Sequence, residues 1–386
     1  MNRRFGLGSM MTPLARVVCA DRSAQTSVPI PRVRMRVACI REVRRSTLFP
    51  NPKPRRLSRT LSDDMNTARV ILAGGGGFLG QILSAHFLAR GREVVVLSRA
   101  PKARGDGVRE VNWDGETVGE WARFLDGSDS VINLAGRTVN CRYHARNRRL
   151  ILDSRVNSTR VVGEAIARAA KPPRVWLNSS TATIYRHTFG PAWDETGEIG
   201  GTPESKDEFS VEVACAWEKT FNSAKTPATR KVALRTAMVL GHGKNSVFPM
   251  LRRLARVGLG GKMGNGRQFV SWIHEGDFCR AIDWLLEHGD VSGVVNLAAP
   301  NPVTNAEMMR AFRDVCGISI GLPASRWMLE VGAFFLRTEP ELIIKSRRLI
   351  SGRLIAAGFE FRFPRLKDAL IALESQNTRE QWTPLK

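Results

Sequence analysis

Tyrosine is nearly absent from this chain: two of 386 residues, Tyr143 and Tyr185. Chemistry that needs a phenol therefore has two places to reside. The six cysteines (Cys19, Cys39, Cys141, Cys215, Cys279, Cys316) show no paired spacing, which argues against a disulfide framework. The six histidines are equally dispersed, and no metal-ligand spacing is present, so no metal is expected. No apolar run approaches the ~20 residues needed to span a bilayer, so no membrane partner is expected. Acidic residues are also in short supply, 36 against 59 Lys and Arg, for a formal charge of +23.

The charge distribution weakens the nucleic-acid reading that such a balance invites. Residues 1–64 hold fourteen basic and four acidic side chains, and the remaining excess is spread over segments such as Arg146 to Arg160 and Ile344 to Arg353. That spread describes a solvated face better than a binding stripe. The first 64 residues are rich in Arg, Pro and Ser without helical or strand periodicity, a composition expected to be disordered in isolation. Three readings compete for them: an organellar transit peptide, an export signal on Arg3-Arg4, and translation truly starting at Met65. The third is favoured, with a cytoplasmic location; import into an organelle follows if the leader is genuine.

The most informative stretch is Ala68 to Gly80, A-R-V-I-L-A-G-G-G-G-F-L-G. An apolar strand pattern runs into glycines and then into an apolar helical pattern starting at Phe78 and Leu79. Gly74, Gly77 and Gly80 give G-x-x-G-x-x-G at a strand-to-helix turn. Gly74 permits the tight turn, and Gly77 leaves no Cβ between backbone and phosphate. Gly80 lets the helix lie close on the sheet, and the helix N-terminus aims free N–H groups at a diphosphate. A flexible turn is the bland alternative, but the strand before and helix after supply the context a dinucleotide site needs.

The second strand, Glu93 to Leu97, ends in Ser98-Arg99-Ala100-Pro101-Lys102. A carboxylate there would suit the ribose hydroxyls of NAD. A small hydroxyl at Ser98 and two cations, Arg99 and Lys102, suit the 2′-phosphate of NADP(H) instead. The Gly241-His242-Gly243-Lys244 run lacks the spacing of a phosphate-binding P-loop.

Strand and helix patterns alternate through a third strand near Val111, a helix around Glu120 to Leu125, a strand Val131 to Leu134 and a helix Asn147 to Ala169. A strand Val175 to Ser179, a helix Phe209 to Ala224 and a strand Val232 to Leu240 continue the series. This order predicts an α/β, Rossmann-type doubly wound parallel sheet, with a smaller, mostly helical C-terminal region over Asn305 to Glu374. The expected organisation is a basic extension (1–64), a dinucleotide-binding domain (65–300) and a helical C-terminal domain (301–386).

G-G-G-G-F-L-G, V-I-N-L-A-G (Val131 to Gly136) and L-R-T-A-M-V-L-G (Leu234 to Gly241) resemble the extended short-chain dehydrogenase/reductase superfamily. S-R-V-N-S-T (Ser154 to Thr159), Trp217-Glu218, G-L-G-G-K-M-G-N-G-R-Q-F-V-S-W-I-H (Gly258 to His274) and S-R-R-L-I-S-G-R-L-I-A-A-G-F-E-F (Ser346 to Phe361) narrow this. They are similar to the epimerase-family NADP-binding proteins with a carboxy-terminal domain of unknown function, some labelled cell-division inhibitors. The resemblance covers nearly everything after Met65. It implies that Leu134, Ala135 and Gly136 run beneath the cofactor's adenosine and ribose portions. It also puts Thr181 where the superfamily has a catalytic Ser or Thr; the alternative is a hydroxyl satisfying backbone at a strand end.

The superfamily's usual catalyst is Tyr-x-x-x-Lys, in which the ammonium lowers the phenol's pKa. Here Tyr143 is followed four residues on by Asn147, and Tyr185 by Phe189. Lys219 has Cys215 in the tyrosine position, where a small buried thiol is expected. An enzyme would thus use other groups: Thr181 and Tyr185 as catalytic candidates, with Arg235, Trp272 and His274 bordering the substrate. Each has a structural alternative, as an acid's partner, a core indole and a satisfied histidine respectively. The leading reading is an NADP(H)-dependent oxidoreductase or epimerase-like enzyme on a small substrate. The other is a non-catalytic, cofactor-bound regulator with a protein partner. A polar pocket beside Thr181 and Tyr185 would favour the enzyme, and an apolar patch at Trp327 to Leu336 the regulator. A homodimer through the helices at Asn147 to Ala169 and Phe209 to Ala224 is consistent with the resemblance.

Overall fold

The computed structural model describes residues 68–243, 245–325, 328 and 345–381. The expectations for residues 1–64 and, Met328 aside, for an apolar patch at Trp327 to Leu336 lie outside the described residues. In chain order the elements are β1 (Arg69–Ala73), α1 (Phe78–Leu88), β2 (Glu93–Ser98), β3 (Arg109–Asn112), β4 (Ser130–Asn133) and α2 (Ala145–Arg168). They continue with β5 (Val175–Thr181), α3 (Glu208–Ser223), β6 (Arg230–Thr236), β7 (Met238–Leu240), α4 (Val247–Arg256), β8 (Phe269–Val270) and β9 (Trp272–His274). The last are α5 (Glu275–Glu287), β10 (Gly293–Leu297), β11 (Val303–Thr304), α6 (Asn305–Cys316), α7 (Gly352–Ala356) and α8 (Leu366–Gln381). Short 3-10 turns occupy Glu120–Phe124 and Ala182–Ile184.

The main sheet runs β3-β2-β1-β4-β5-β6-β10, with every pairing parallel. Parallel strands are covered on both faces, which is why β1, β2 and β4 read as continuous apolar runs rather than alternations. On one face Leu83 and Phe87 of α1 pack with Phe278 and Ile282 of α5. On the other, Val161, Val162 and Ile166 of α2 pack with Trp121, Trp176 and Phe221. The strand order reverses between β1 and β4, and the crevice beyond their carboxyl ends is where such sheets take ligands.

One expected strand divides. Val232 to Leu240 reads as continuous, but the backbone leaves the main sheet at Ala237, whose N–H donates to Leu297 O at 3.0 Å. Met238–Leu240 then pairs with β9 in a separate two-stranded sheet. The apolar sequence is satisfied either way, so composition carried no sign of the break. Around Glu120 the expected helix is a single tight turn.

The C-terminal region is held by polar clamps as well as by apolar packing. Asp277, fully buried, accepts the N–H groups of Arg362 (3.0 Å) and Phe363 (2.8 Å) and pairs with Arg280 at 2.9 Å. Glu374 on α8 takes Arg252 of α4 through two hydrogen bonds, 2.6 and 2.8 Å. Further along the chain, Ser351 Oγ accepts the N–H of Ala298 at 2.8 Å, joining the tail to the end of β10.

Candidate cofactor and substrate site

The glycine turn sits at the strand-order reversal. Gly74 has φ +73, the left-handed region that favours glycine, and its N–H donates to Leu97 O at 2.9 Å. A Cβ on Gly74 would lie 2.6 Å from Ala135 Cα. The turn and the Leu134–Ala135–Gly136 segment, with Gly74 and Ala135 separated by 61 positions in the chain, are thus pressed together in space. Gly80 clears the turn itself rather than the sheet surface: its Cβ would fall 2.1 Å from Gly75 O. Phe78 faces the later loop, since a Cβ on Gly243 would meet its ring at 2.5 Å, and Leu79 packs on the core.

Gly77 is the N-cap of α1, with no side-chain cap and no acidic residue in the first turn. A Cβ there would meet nothing within 4 Å. Bare backbone at an uncapped helix N-terminus is what a diphosphate needs: free N–H groups, the positive end of the helix dipole and room to approach. At the end of β2, Arg104 binds both nearby acids, Asp106 at 2.5 Å and Glu110 at 3.4 Å. The exposed side chains of Arg99 and Lys102 hold no partner among the described residues, and Ser98 Oγ accepts the Ala100 N–H at 3.3 Å. Two uncommitted cations and a hydroxyl fit a 2′-phosphate.

The residues expected around the substrate separate into two groups. Thr181 ends β5, half-buried, and its Oγ1 accepts the Thr183 N–H at 3.2 Å. That bond leaves its hydroxyl hydrogen free to donate. Beside it Arg347 donates to Thr183 Oγ1 at 3.2 Å, and Lys345 donates to Thr183 O at 2.6 Å while pairing with buried Asp207. The N–H of Ser346 donates to His187 Nδ1 at 2.9 Å, and burial lowers that imidazole's pKa. Sequence reading missed Lys345, Arg347 and Asp207, because nothing in their local spacing tells that the tail returns to β5.

The other group is core, and for Arg235, Trp272 and His274 the structural alternative describes the arrangement. Tyr185 is 2% exposed; its hydroxyl donates to Asn296 Oδ1 at 2.8 Å and accepts from Arg235 at 2.9 Å, with burial raising its pKa. A phenol so enclosed has no face for a substrate. Arg235 meets Glu218 in a two-bond fork, both at 2.8 Å, and Ser180 Oγ donates to the same carboxylate at 2.6 Å. It is an acid's partner rather than an anion receptor. Trp272 is fully buried, its indole donating to Asn301 O at 3.1 Å. His274 caps α5: Nδ1 accepts the Gly276 N–H at 2.9 Å, and burial pulls its pKa down to about 4. It stays neutral where a general acid or base would titrate.

Cys215, expected as a buried thiol, is exposed on α3. Lys219 is exposed on the same helix. Behind the crevice a polar network was also missed. Asn133 donates to Asn178 Oδ1 (2.8 Å) and Thr159 Oγ1 (3.1 Å) and accepts the Ala135 N–H (3.1 Å), while Trp217 Nε1 donates to Thr159 at 2.8 Å. It fixes the backbone of the Leu134–Gly136 segment to α2 and α3.

A doubly wound sheet with a phosphate turn at its switch point defines a dinucleotide-binding Rossmann protein of the extended short-chain dehydrogenase/reductase type. The chain belongs to the NAD dependent epimerase/dehydratase family, whose model matches residues 70–298. Residues 324–373 match a domain of unknown function, DUF1731. The epimerase family protein SDR39U1 of Bos taurus is 32% identical over 308 residues, covering 78% of this chain and 98% of that protein. Epimerase family protein YfhF of Bacillus subtilis is 29% identical, covering 79% and 97%. The crystal structure of human SDR39U1 (isoform 2) with NADPH superposes with a TM-score of 0.70 at 30% identity, covering 80% of this chain and 99% of that one.

Proposed function

We propose that this protein is an NADP(H)-binding oxidoreductase or epimerase-like enzyme acting on a small carbonyl or alcohol substrate at the carboxyl end of β5. The observation that carries the cofactor reading is the bare, uncapped backbone at Gly77 together with the uncommitted cations Arg99 and Lys102. The NADPH bound to human SDR39U1 supports the same reading. When bound, the nicotinamide supplies or accepts hydride at the substrate carbon. The chain's own part is orientation and charge. Gly74, Gly77 and the first turn of α1 hold the diphosphate, and Arg99 and Lys102 the 2′-phosphate. Thr181, held by the Thr183 N–H, directs its hydroxyl hydrogen to the substrate oxygen. Reduction of a carbonyl also consumes a proton at that oxygen, which solvent replenishes through the Thr181 hydroxyl.

The second reading, a cofactor-bound regulator without turnover, is favoured by one observation. Both phenols are engaged elsewhere: Tyr185 in the core, Tyr143 half-buried and edge-on to Phe209 at 5.2 Å. Pairing of two copies through α2 and α3 is compatible with either reading.

Calorimetric titration of the full chain with NADPH and NADH, followed by a carbonyl panel scored by NADPH oxidation, tests both. Tight NADPH binding with turnover that is lost in Thr181→Val supports the enzyme. Tight binding with no turnover across the panel supports the regulator, and no binding refutes the cofactor reading.

A further inference from the structure

We infer that Arg155 of α2 binds the diphosphate of the dinucleotide, from the face of the sheet opposite α1. This inference rests on the cofactor reading above. The Arg155 guanidinium lies directly under the Leu134–Gly136 segment: a Cβ on Gly136 would come within 3.1 Å of its Cζ. Ala135, one residue earlier, is what a Cβ on Gly74 would strike. Gly136 thus touches the guanidinium while its neighbour Ala135 touches Gly74, so one short segment links Arg155 to the phosphate turn at the gap between β4 and β1. The diphosphate of a dinucleotide crosses the sheet at that gap. The first-turn N–H groups of α1 reach it from one side and α2 brings Arg155 from the other.

The side chain is fixed in place. Nη1 donates to Ile151 O at 3.0 Å and Arg137 O at 3.1 Å, and Cζ lies 5.1 Å from the centre of the Trp217 ring. Trp217 is itself tied to Thr159 in the network behind the crevice. Among the described residues, Nε and Nη2 have no hydrogen-bond partner and no carboxylate pairs with the charge. Several shielded guanidiniums are matched by acids, Arg235 with Glu218, Arg92 with Asp283 and Arg252 with Glu374, whereas Arg230 spends both its bonds on the carbonyls of Val291 and Leu285. Loss of solvent lowers the pKa of Arg155 to about 10, opposed only by the Tyr143 phenol and by no carboxylate. A partly desolvated charge without a counter-ion is costly, and an anion arriving with a ligand relieves the cost. The planar fork has two edges, one spent on carbonyls and one open, which suits bidentate contact with phosphate oxygens.

The test uses the full chain as wild type, Arg155→Gln and Arg155→Lys. Each is titrated with NADPH, which carries the diphosphate, and with adenosine 2′-monophosphate, which lacks it. Ligand-free melting temperatures are recorded alongside. Arg155→Gln is expected to weaken NADPH binding about ten- to a hundredfold, the scale of a charge-assisted contact. Binding of adenosine 2′-monophosphate stays unchanged, and the ligand-free melting temperature holds or rises. Arg155→Lys falls between, keeping the charge but losing the fork; it carries the test should the Gln variant fail to fold. Equal NADPH affinity in wild type and variants overturns the inference. So does a parallel loss of adenosine 2′-monophosphate, which would put the effect on the whole site. Failure of the wild type to bind NADPH refutes the cofactor reading instead.

Discussion

At the scale of single residues, identity was legible in the sequence and partnership was not. Tyr185, Arg235 and Glu218 each stand out in the chain, but their contacts span 17 and 50 positions and leave no local pattern. Polar side chains near a strand end read as substrate ligands or as one another's partners with equal ease, and here they chose each other. The glycines were more readable, because each answers to backbone geometry rather than to a distant partner. The buried trio gives a direct test. Removing the hydroxyl in Tyr185→Phe leaves Asn296 and Arg235 each short of one partner, a loss of about 1–3 kcal/mol in denaturant unfolding. NADPH affinity and any turnover should be unchanged. A variant that keeps full stability and loses turnover would restore Tyr185 to catalysis.

At the scale of elements, periodicity and glycine placed six of the seven strands of the main sheet and the helices between them to within a few residues, but β10 and α5, beyond Gly241, went unread. The break at Ala237 escaped, because what ends β6 is a change of pairing partner and not a change of composition. Two glycines on one turn should behave oppositely. In Gly77→Asp the carboxylate caps α1 and meets no clash, so stability holds or improves while repulsion of the diphosphate lowers NADPH affinity by roughly 1.4 kcal/mol or more, a factor of ten. In Gly80→Ala the added carbon has no room beside Gly75 O, and a loss of about 1–3 kcal/mol is expected by thermal or denaturant melting. The cap of α5 brings a pH dependence. His274 titrates at about 4 in the fold against 6.5 ordinarily, so the unfolded chain binds its proton first as pH falls. The stability it contributes is intact above pH 6.5 and is lost between there and about 4, amounting to about 3 kcal/mol. His274→Asn, which keeps an acceptor for Gly276, should flatten that slope in melts across this range.

At the scale of the whole molecule, the tail is a working part of the sheet domain, which composition and period gave no means of seeing. Asp277 holds residues 362 and 363, and Lys345 enters the core to meet Asp207 at the start of α3 and the Thr183 carbonyl just past β5. Asp277→Ala strips a buried acceptor from two backbone N–H groups and from Arg280; about 3–5 kcal/mol should be lost, read as a lower denaturant midpoint and faster proteolysis near Arg362. An unaltered midpoint would mean that apolar packing alone retains the tail. The placement of Lys345 also bears on how the protein is made. Translation delivers the strands of the sheet well before it delivers residue 345. Until then Asp207 has the Ser205 hydroxyl and the Thr202 N–H but no ammonium to balance its charge. Completion of the fold is thereby coupled to completion of synthesis. A message truncated upstream of Lys345 would yield a substrate for chaperones and proteases, not a shorter cofactor-binding domain.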